Sequence, residues 1–268
     1  MLYQLYHWPT TNIINTLYNL NKRILKRKRE RFILLSAFPR SACNHLSYLL
    51  SESLRYEQKE LKAASGIYHD CIYMPKLVDL MVRKAIVTQH LRLTSVNYRI
   101  IKELNIKPIV QVRNIFDVVV SYRDYIAKNG YAPLDLSQDD HAPGYCKAYP
   151  DFDEMKKIDY IIDTVVPWYI TFYASWYIHT KENHNIDAYW VKYEDLITVP
   201  HKILNEIFDF YNLSVPPKRL DAIIGRNEKV NFNKGIVGRG ECLSESQKNR
   251  IRKIADYYPT IDFKMMGL

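Results

Sequence analysis

The sequence predicts an α/β domain built on a central parallel sheet flanked by helices, and three observations carry that prediction. Short apolar runs rich in Ile and Val alternate with stretches whose apolar residues recur at helical spacing, the pattern of strands joined by helical crossovers. Two strand-to-helix junctions each hold an arginine, Arg40 in one and Arg113 in the other, and open parallel sheets bind ligands at the carboxyl ends of their strands. The length of 268 residues suits one large domain of this class, with enough chain to bury a substantial core.

Taken in order, residues 11–29 read as an amphipathic helix, with Ile14, Leu17, Leu20 and Ile24 on one face. A basic run overlaps its end: Lys22, Arg23, Lys26, Arg27, Lys28, Arg29 and Arg31. Residues 1–30 are therefore expected to form a basic amphipathic element ahead of a main domain at 31–268. The first strand covers 32–36, a turn follows, and Leu46, Leu49, Leu50 and Leu54 return at helical spacing. A second strand centres on Ala85, Ile86 and Val87, a helix spans 96–104, and a third strand spans 108–112. A helix over 117–126 has Val118, Val119 and Tyr122 on one side.

Residues 129–159 break the alternation, with Gly130, Pro133, Pro143, Gly144 and Pro150 among many tyrosines and aspartates. A loop of that length inside a compact domain reads as a lid or an insert. Regular structure resumes with an aromatic-rich helix over 163–181, a strand over 188–192 and a helix over 200–211. A final helix covers 244–257, with Ser244 placed as its cap. No internal repeat or linker divides 31–268, so one domain is expected.

An apolar content of 47% excludes disorder for the bulk of the chain, and a net charge of +9 implies an anionic partner. Nucleic acid, acidic lipid and a phosphorylated small molecule all satisfy that charge. Cys43, Cys71, Cys146 and Cys242 form no Cys-x-x-Cys pair and no metal-like spacing. They read as reduced thiols of a cytoplasmic protein without a metal site. No stretch approaches the roughly 18 apolar residues of a membrane span.

Two segments carry candidate chemistry. Ser36-Ala37-Phe38-Pro39-Arg40-Ser41-Ala42-Cys43-Asn44 lies between a strand and a helix start, where free amides and the helix dipole attract an anion. It is not a Walker loop, because Gly-x-x-x-x-Gly-Lys-Ser/Thr is absent. In Val112-Arg113-Asn114-Ile115-Phe116-Asp117-Val118-Val119-Val120-Ser121, the strand ends at Arg113 and the helix brings Ser121 two turns later. A guanidinium there suits a phosphate; Asp117 reads as a helix-start residue.

These segments resemble the 5′-phosphosulfate loop and the 3′-phosphate segment of sulfotransferases that use 3′-phosphoadenosine-5′-phosphosulfate (PAPS). Tyr193-Glu194-Asp195-Leu196 is similar to the family's Tyr-Glu-Asp-Leu element. Lys234-Gly235-Ile236-Val237-Gly238 is similar to its C-terminal Arg-Lys-Gly-x-x-Gly loop. The matches run in family order from about residue 31 to 268, and imply the sulfotransferase fold with a P-loop-like phosphosulfate loop.

The resemblance implies that Arg40, Ser41 and the backbone of Ala42, Cys43 and Asn44 hold the 5′-phosphosulfate. It implies that Arg113, Ser121, Lys234 and Gly235 hold the 3′-phosphate, with Tyr193 and His45 beside the adenine. His90, in Thr88-Gln89-His90-Leu91, resembles the family's catalytic histidine, and its ordinary pKa suits a general base at neutral pH. The implied reaction moves a sulfuryl group to a hydroxyl or amine, releases 3′,5′-ADP with Arg40 stabilising the leaving charge, and needs no metal. The acceptor is expected to be a small molecule. Tyr125, Tyr131, Tyr145, Trp168 and Tyr169 are candidate cap residues over it, and Asp139, Asp140, Asp151 and Asp153 hint at a cationic one. Ala42 departs from the family's loop glycine, Cys43 and Asn44 from two hydroxyl residues, Thr88 from a lysine and Asn233 from an arginine. A nucleophilic role for Cys43 is the lesser reading of a thiol at a helix start. The charge leaves one alternative open, a basic anion- or nucleic-acid-binding protein without catalysis.

Overall fold

Five strands, all parallel, lie in the order β2-β3-β1-β4-β5. They are β1 (Phe32–Ala37), β2 (Glu57–Glu60), β3 (Ala85–Gln89), β4 (Pro108–Val112) and β5 (Tyr189–Lys192). The structure, a computed structural model, describes residues 32–61, 70–129, 148–227 and 236–268. Helices α1 (Cys43–Leu54), α2 (Met74–Leu80), α3 (Ser95–Glu103), α4 (Ile115–Asn129) and α5 (Glu154–Thr164) occupy the first part of the chain. Helices α6 (Val166–Tyr177), α7 (Tyr193–Thr198), α8 (Pro200–Phe210), α9 (Pro217–Asn227) and α10 (Glu245–Ala255) follow.

The strands read as continuous apolar runs because both faces of the sheet are covered. In β1, Ile33, Leu35 and Ala37 pack with Leu46, Leu49 and Leu50 of α1 and with Leu204 and Ile207 of α8. Leu34 points the other way, into a cluster with Val87, Val110, Val112, Trp168 and Phe172. Central β1 has β3 on one side and β4 on the other. The chain reverses its direction of travel across the sheet here, so the carboxyl ends of three adjacent strands open onto one crevice.

The expected strands at 32–36, around Ala85, Ile86 and Val87, at 108–112 and at 188–192 all form, as do helices over the expected 96–104, 117–126, 200–211 and 244–257 stretches. Ser244 caps α10 with a full capping box, its hydroxyl accepting from the Gln247 amide. Two readings need correction. Residues 154–159, assigned to the lid, belong to α5, which starts on Asp153 as its cap. The helix read over 163–181 is the end of α5, then α6, then a π-turn over Ile178–Glu182. Its break at Val165 precedes Pro167, whose ring and missing N–H cannot continue a helix. Tyr193 is the first residue of α7, which follows β5 without a loop. The predicted helix at 11–29 lies outside the described residues.

Candidate active site

After β1 the chain turns sharply, and the protein holds this turn from three sides. The Phe38 amide donates to the Gln111 carbonyl at 3.0 Å, and Gln111 Nε2 donates to the Ser41 carbonyl at 2.7 Å. Ser41 is buried, its hydroxyl donating back to the Phe38 carbonyl at 2.7 Å. The Tyr169 hydroxyl donates to the Pro39 carbonyl at 3.1 Å. Arg40 and Ala42 take left-handed backbone conformations, with φ of 65° and 62°. Ala42 leads into α1 with no side chain capping the helix, so its first amides are available to a ligand. Here the sequence departs from the family's glycine at the position where glycine is best suited.

Burial pushes the Cys43 thiol up to about 11, which keeps it protonated and removes the nucleophile reading. Burial lowers His45 to about 4, so its ring is neutral near physiological pH. Asn44 is exposed at the helix start.

The turn after β4 is built differently. Asn114 Oδ1 caps α4 by accepting from the Phe116 and Asp117 amides at 3.0 and 3.4 Å. The Asn114 amide donates to Glu194 Oε1 at 3.0 Å; burial raises the Glu194 pKa, while that amide pulls it down. Asp117 accepts from the Gly238 amide at 3.0 Å and the Gly240 amide at 2.8 Å. It is therefore an anchor for the C-terminal segment, more than the helix-start residue that sequence reasoning made it. Gly240 sits so close to α4 that an added Cβ would lie 2.3 Å from Phe116 Cβ. Nothing local in the sequence signals these contacts, since Gly238 and Gly240 are more than a hundred residues from Asp117.

The two turns meet through Arg113. It is buried, with Nη1 donating to the Arg40 carbonyl at 3.1 Å and Nη2 to the Ile236 carbonyl at 3.0 Å. Asp117 lies 3.6 Å from Nη2, and the guanidinium stacks 4.2 Å from the centre of the Tyr193 ring. Its Nε is buried with no partner. Arg40 reaches in turn to Ser121, Nε to Oγ at 3.4 Å, and lies 4.7 Å from the Tyr125 ring centre. Arg40, Arg113, Ser121 and Tyr193 are thus joined by direct contacts, and Ser41 lies in the same turn as Arg40. Lys234, Gly235 and Asn233 lie outside the described residues.

His90 follows β3 on the same end of the sheet. Its Nδ1 is 2.7 Å from the Ala37 carbonyl; a carbonyl only accepts, so Nδ1 carries a proton. Thr88, in the preceding strand, buries its hydroxyl without a partner.

The acceptor-side candidates fare unevenly. Trp168 and Tyr169 are buried in the core, and Tyr125 is 41% exposed beside Arg40. Asp153 is used as a helix cap, its Oδ1 accepting from the Lys156 amide at 2.7 Å, and Asp151 is exposed in a 3-10 turn. Tyr131, Tyr145, Asp139 and Asp140 lie outside the described residues.

The sulfotransferase domain family matches residues 13–266 of the sequence. The chain belongs to the sulfotransferase family. It is an enzyme of PAPS-dependent sulfuryl transfer to an acceptor, which decides against the non-catalytic reading of its charge. The fold of this sulfotransferase is similar to that of mouse sulfotransferase SULT7A1 complexed with PAP, at 16% identity, TM-score 0.63, covering 92% of this chain and 91% of that one. It is also similar to retinol dehydratase in complex with androsterone and inactive cofactor PAP, at 13% identity and TM-score 0.51, covering 85% and 80%. A second retinol dehydratase structure, with retinol and PAP, gives 14% identity and TM-score 0.51 over 93% and 85%. No curated protein matches the chain in sequence. Among the described residues no His, Cys, Asp and Glu cluster could hold a metal, and no helix is long and apolar enough to cross a membrane.

Proposed function

We propose that this sulfotransferase binds its donor across the β1 and β4 turns and uses His90 as the general base on a small-molecule hydroxyl or amine. The observation that carries the reading is the contact from Arg113 Nη1 to the Arg40 carbonyl, which makes one crevice of two cationic turns. A nucleotide with phosphate at both ends needs two such turns within its own length. The buried, unpartnered Nε of Arg113 fits a 3′-phosphate oxygen, and Ser121, Lys234 and Gly235 complete that end. The first amides of α1 at Ala42, Cys43 and Asn44 fit the 5′-phosphosulfate, with Arg40 and Ser41 beside them. Tyr193 and His45 flank the adenine, His45 as a neutral ring.

At the reacting end, Nε2 of His90 takes the acceptor's proton while the acceptor oxygen or nitrogen bonds to sulfur. The bond from sulfur to the bridging oxygen breaks, and 3′,5′-ADP leaves with its new charge facing Arg40 and the loop amides. The scattered cysteines, without Cys-x-x-Cys spacing, support a cytoplasmic reading, with residues 1–30 as a basic element outside the catalytic domain and residues 129–153 as the acceptor lid.

The test pairs binding with turnover. 3′,5′-ADP is expected to raise the melting temperature and 5′-AMP to do so far less, since a ligand of the native state alone must stabilise it. His90→Ala is expected to slow transfer from radiolabelled PAPS by roughly 10²–10⁴ while sparing 3′,5′-ADP affinity. Equal stabilisation by both nucleotides removes the two-pocket reading; wild-type turnover in the variant removes His90.

A further inference from the structure

Two residues of α4 hold the side chain of Arg40. Ser121 Oγ accepts from Arg40 Nε at 3.4 Å, and one turn later the ring centre of Tyr125 lies 4.7 Å from Arg40 Cζ. Residues four apart are neighbours on a helix surface, so hydroxyl and ring form a single seat. The backbone of Arg40 is held as well: its carbonyl accepts from Arg113 Nη1 at 3.1 Å, and its φ is 65°. With the main chain fixed, Arg40 keeps its freedom in the long side chain, and the seat removes part of that freedom.

Other arginines of the fold are seated on carboxylates: Arg83 pairs with Asp79, and Arg123 and Arg239 share Asp124. Among the described residues no carboxylate pairs with Arg40. The difference matters chemically. A carboxylate compensates the guanidinium charge and occupies its N–H groups. The face of a ring attracts the cation through its quadrupole and leaves the in-plane N–H groups unused. A ring seat therefore fixes an arginine while keeping its charge and donors available to a ligand. Stability alone gives little reason for the contact, since Tyr125 is 41% exposed and a cation over an exposed ring contributes only weakly.

We propose that Tyr125 is a positioning residue for Arg40: its ring face holds the guanidinium between α4 and the turn after β1 without neutralising it, ready for the charge that gathers on the leaving 3′,5′-ADP. This rests on the reading of Arg40 as the residue that faces the leaving group. The ring alone is needed, and the Tyr125 hydroxyl has no part in it. Without the ring, the guanidinium spreads over more rotamers, and fewer molecules have it in place when the bond to sulfur breaks.

The experiment measures release of 3′,5′-ADP from PAPS by the full-length enzyme in two reactions, transfer to para-nitrophenol and hydrolysis to sulfate without an acceptor. Both break the same bond from sulfur to the bridging oxygen, with water as the nucleophile in the second. Tyr125→Leu is expected to lower kcat in both by about two- to fivefold. Tyr125→Phe, which keeps the ring, is expected to recover most of that loss. In an Arg40→Ala background, Tyr125→Leu is expected to cost nothing further. The proton–nitrogen signal of Arg40 Nε–H, assigned from Arg40→Ala, is expected to lose its ring-induced shift in Tyr125→Leu and keep it in Tyr125→Phe. Tyr125→Met carries the same tests if Tyr125→Leu does not fold. A loss confined to transfer overturns the proposal, since it puts Tyr125 on the acceptor alone. Equal losses with and without Arg40 overturn it too, as does an unmoved Arg40 signal. Wild-type turnover of Arg40→Ala removes Arg40 from the leaving group and the proposal with it, whereas a slow Arg40→Ala beside an unaffected Tyr125→Leu removes Tyr125 alone.

Discussion

The turns that carry Arg40 and Arg113 touch each other but are finished in opposite ways. After β4, side chains satisfy the backbone: Asn114 caps α4, Glu194 takes the Asn114 amide, and Asp117 takes two amides of the C-terminal segment. After β1, the helix begins without a side-chain cap, on two residues in the left-handed region. The first turn is a finished joint that aims a guanidinium. The second is left open at its amides and held from outside, by Gln111 and Tyr169. Rigid aim suits recognition of a fixed phosphate; open amides suit the end where charge develops during reaction.

The sharpest way to break this contrast is to undo the finished turn. Asp117→Ala removes the carboxylate beside Arg113 and two amide contacts, and is expected to cost about 3–5 kcal/mol of stability, measured by urea unfolding. Arg113→Ala leaves the joint but loses the aim: affinity for 3′,5′-ADP is expected to fall by about 1.5–3 kcal/mol by calorimetry, with 5′-AMP affinity little changed. Asn114→Ala removes only the cap and is expected to cost about 1 kcal/mol of stability. The open turn should answer in the other direction. Ala42→Gly relieves a left-handed alanine and is expected to raise stability by about 0.5–1 kcal/mol, after allowing for the greater freedom of glycine in the unfolded chain. A loss there would mean that the Ala42 methyl packs usefully and that the loop is not strained.

Much of this was legible in the chain. Strands buried on both faces announce themselves as Ile- and Val-rich runs, and the helices after them by the spacing of residues such as Leu46, Leu49 and Leu50. Arg113 directly follows its strand and Arg40 lies in the turn after its own, which their motifs declared. What escaped reading lacked a local signal. Strand β2 is Glu57-Gln58-Lys59-Glu60, exposed throughout, with no apolar alternation to mark it. Helix α9 mixes Lys218, Arg219 and Asp221 with few apolar residues, and α2 is a short piece of seven residues. The roles of Asp117 and Glu194 as amide anchors depend on partners that the folded topology brings near, so a carboxylate in an anchoring role looks in sequence like any other charge.

Strand β2 has a consequence of its own. Among the described residues it ends one side of the sheet, and it is fastened by its glutamine amide, Gln58 Nε2 to Ser51 Oγ at 3.0 Å and Ser47 Oγ to Gln58 Oε1 at 3.3 Å, in place of apolar packing. Its Glu and Lys side chains crowd the border with like-spaced charge, which discourages a foreign strand from zipping onto it. A protein with so apolar a sheet interior thereby keeps its most template-like margin unattractive to its own copies during folding and at high concentration.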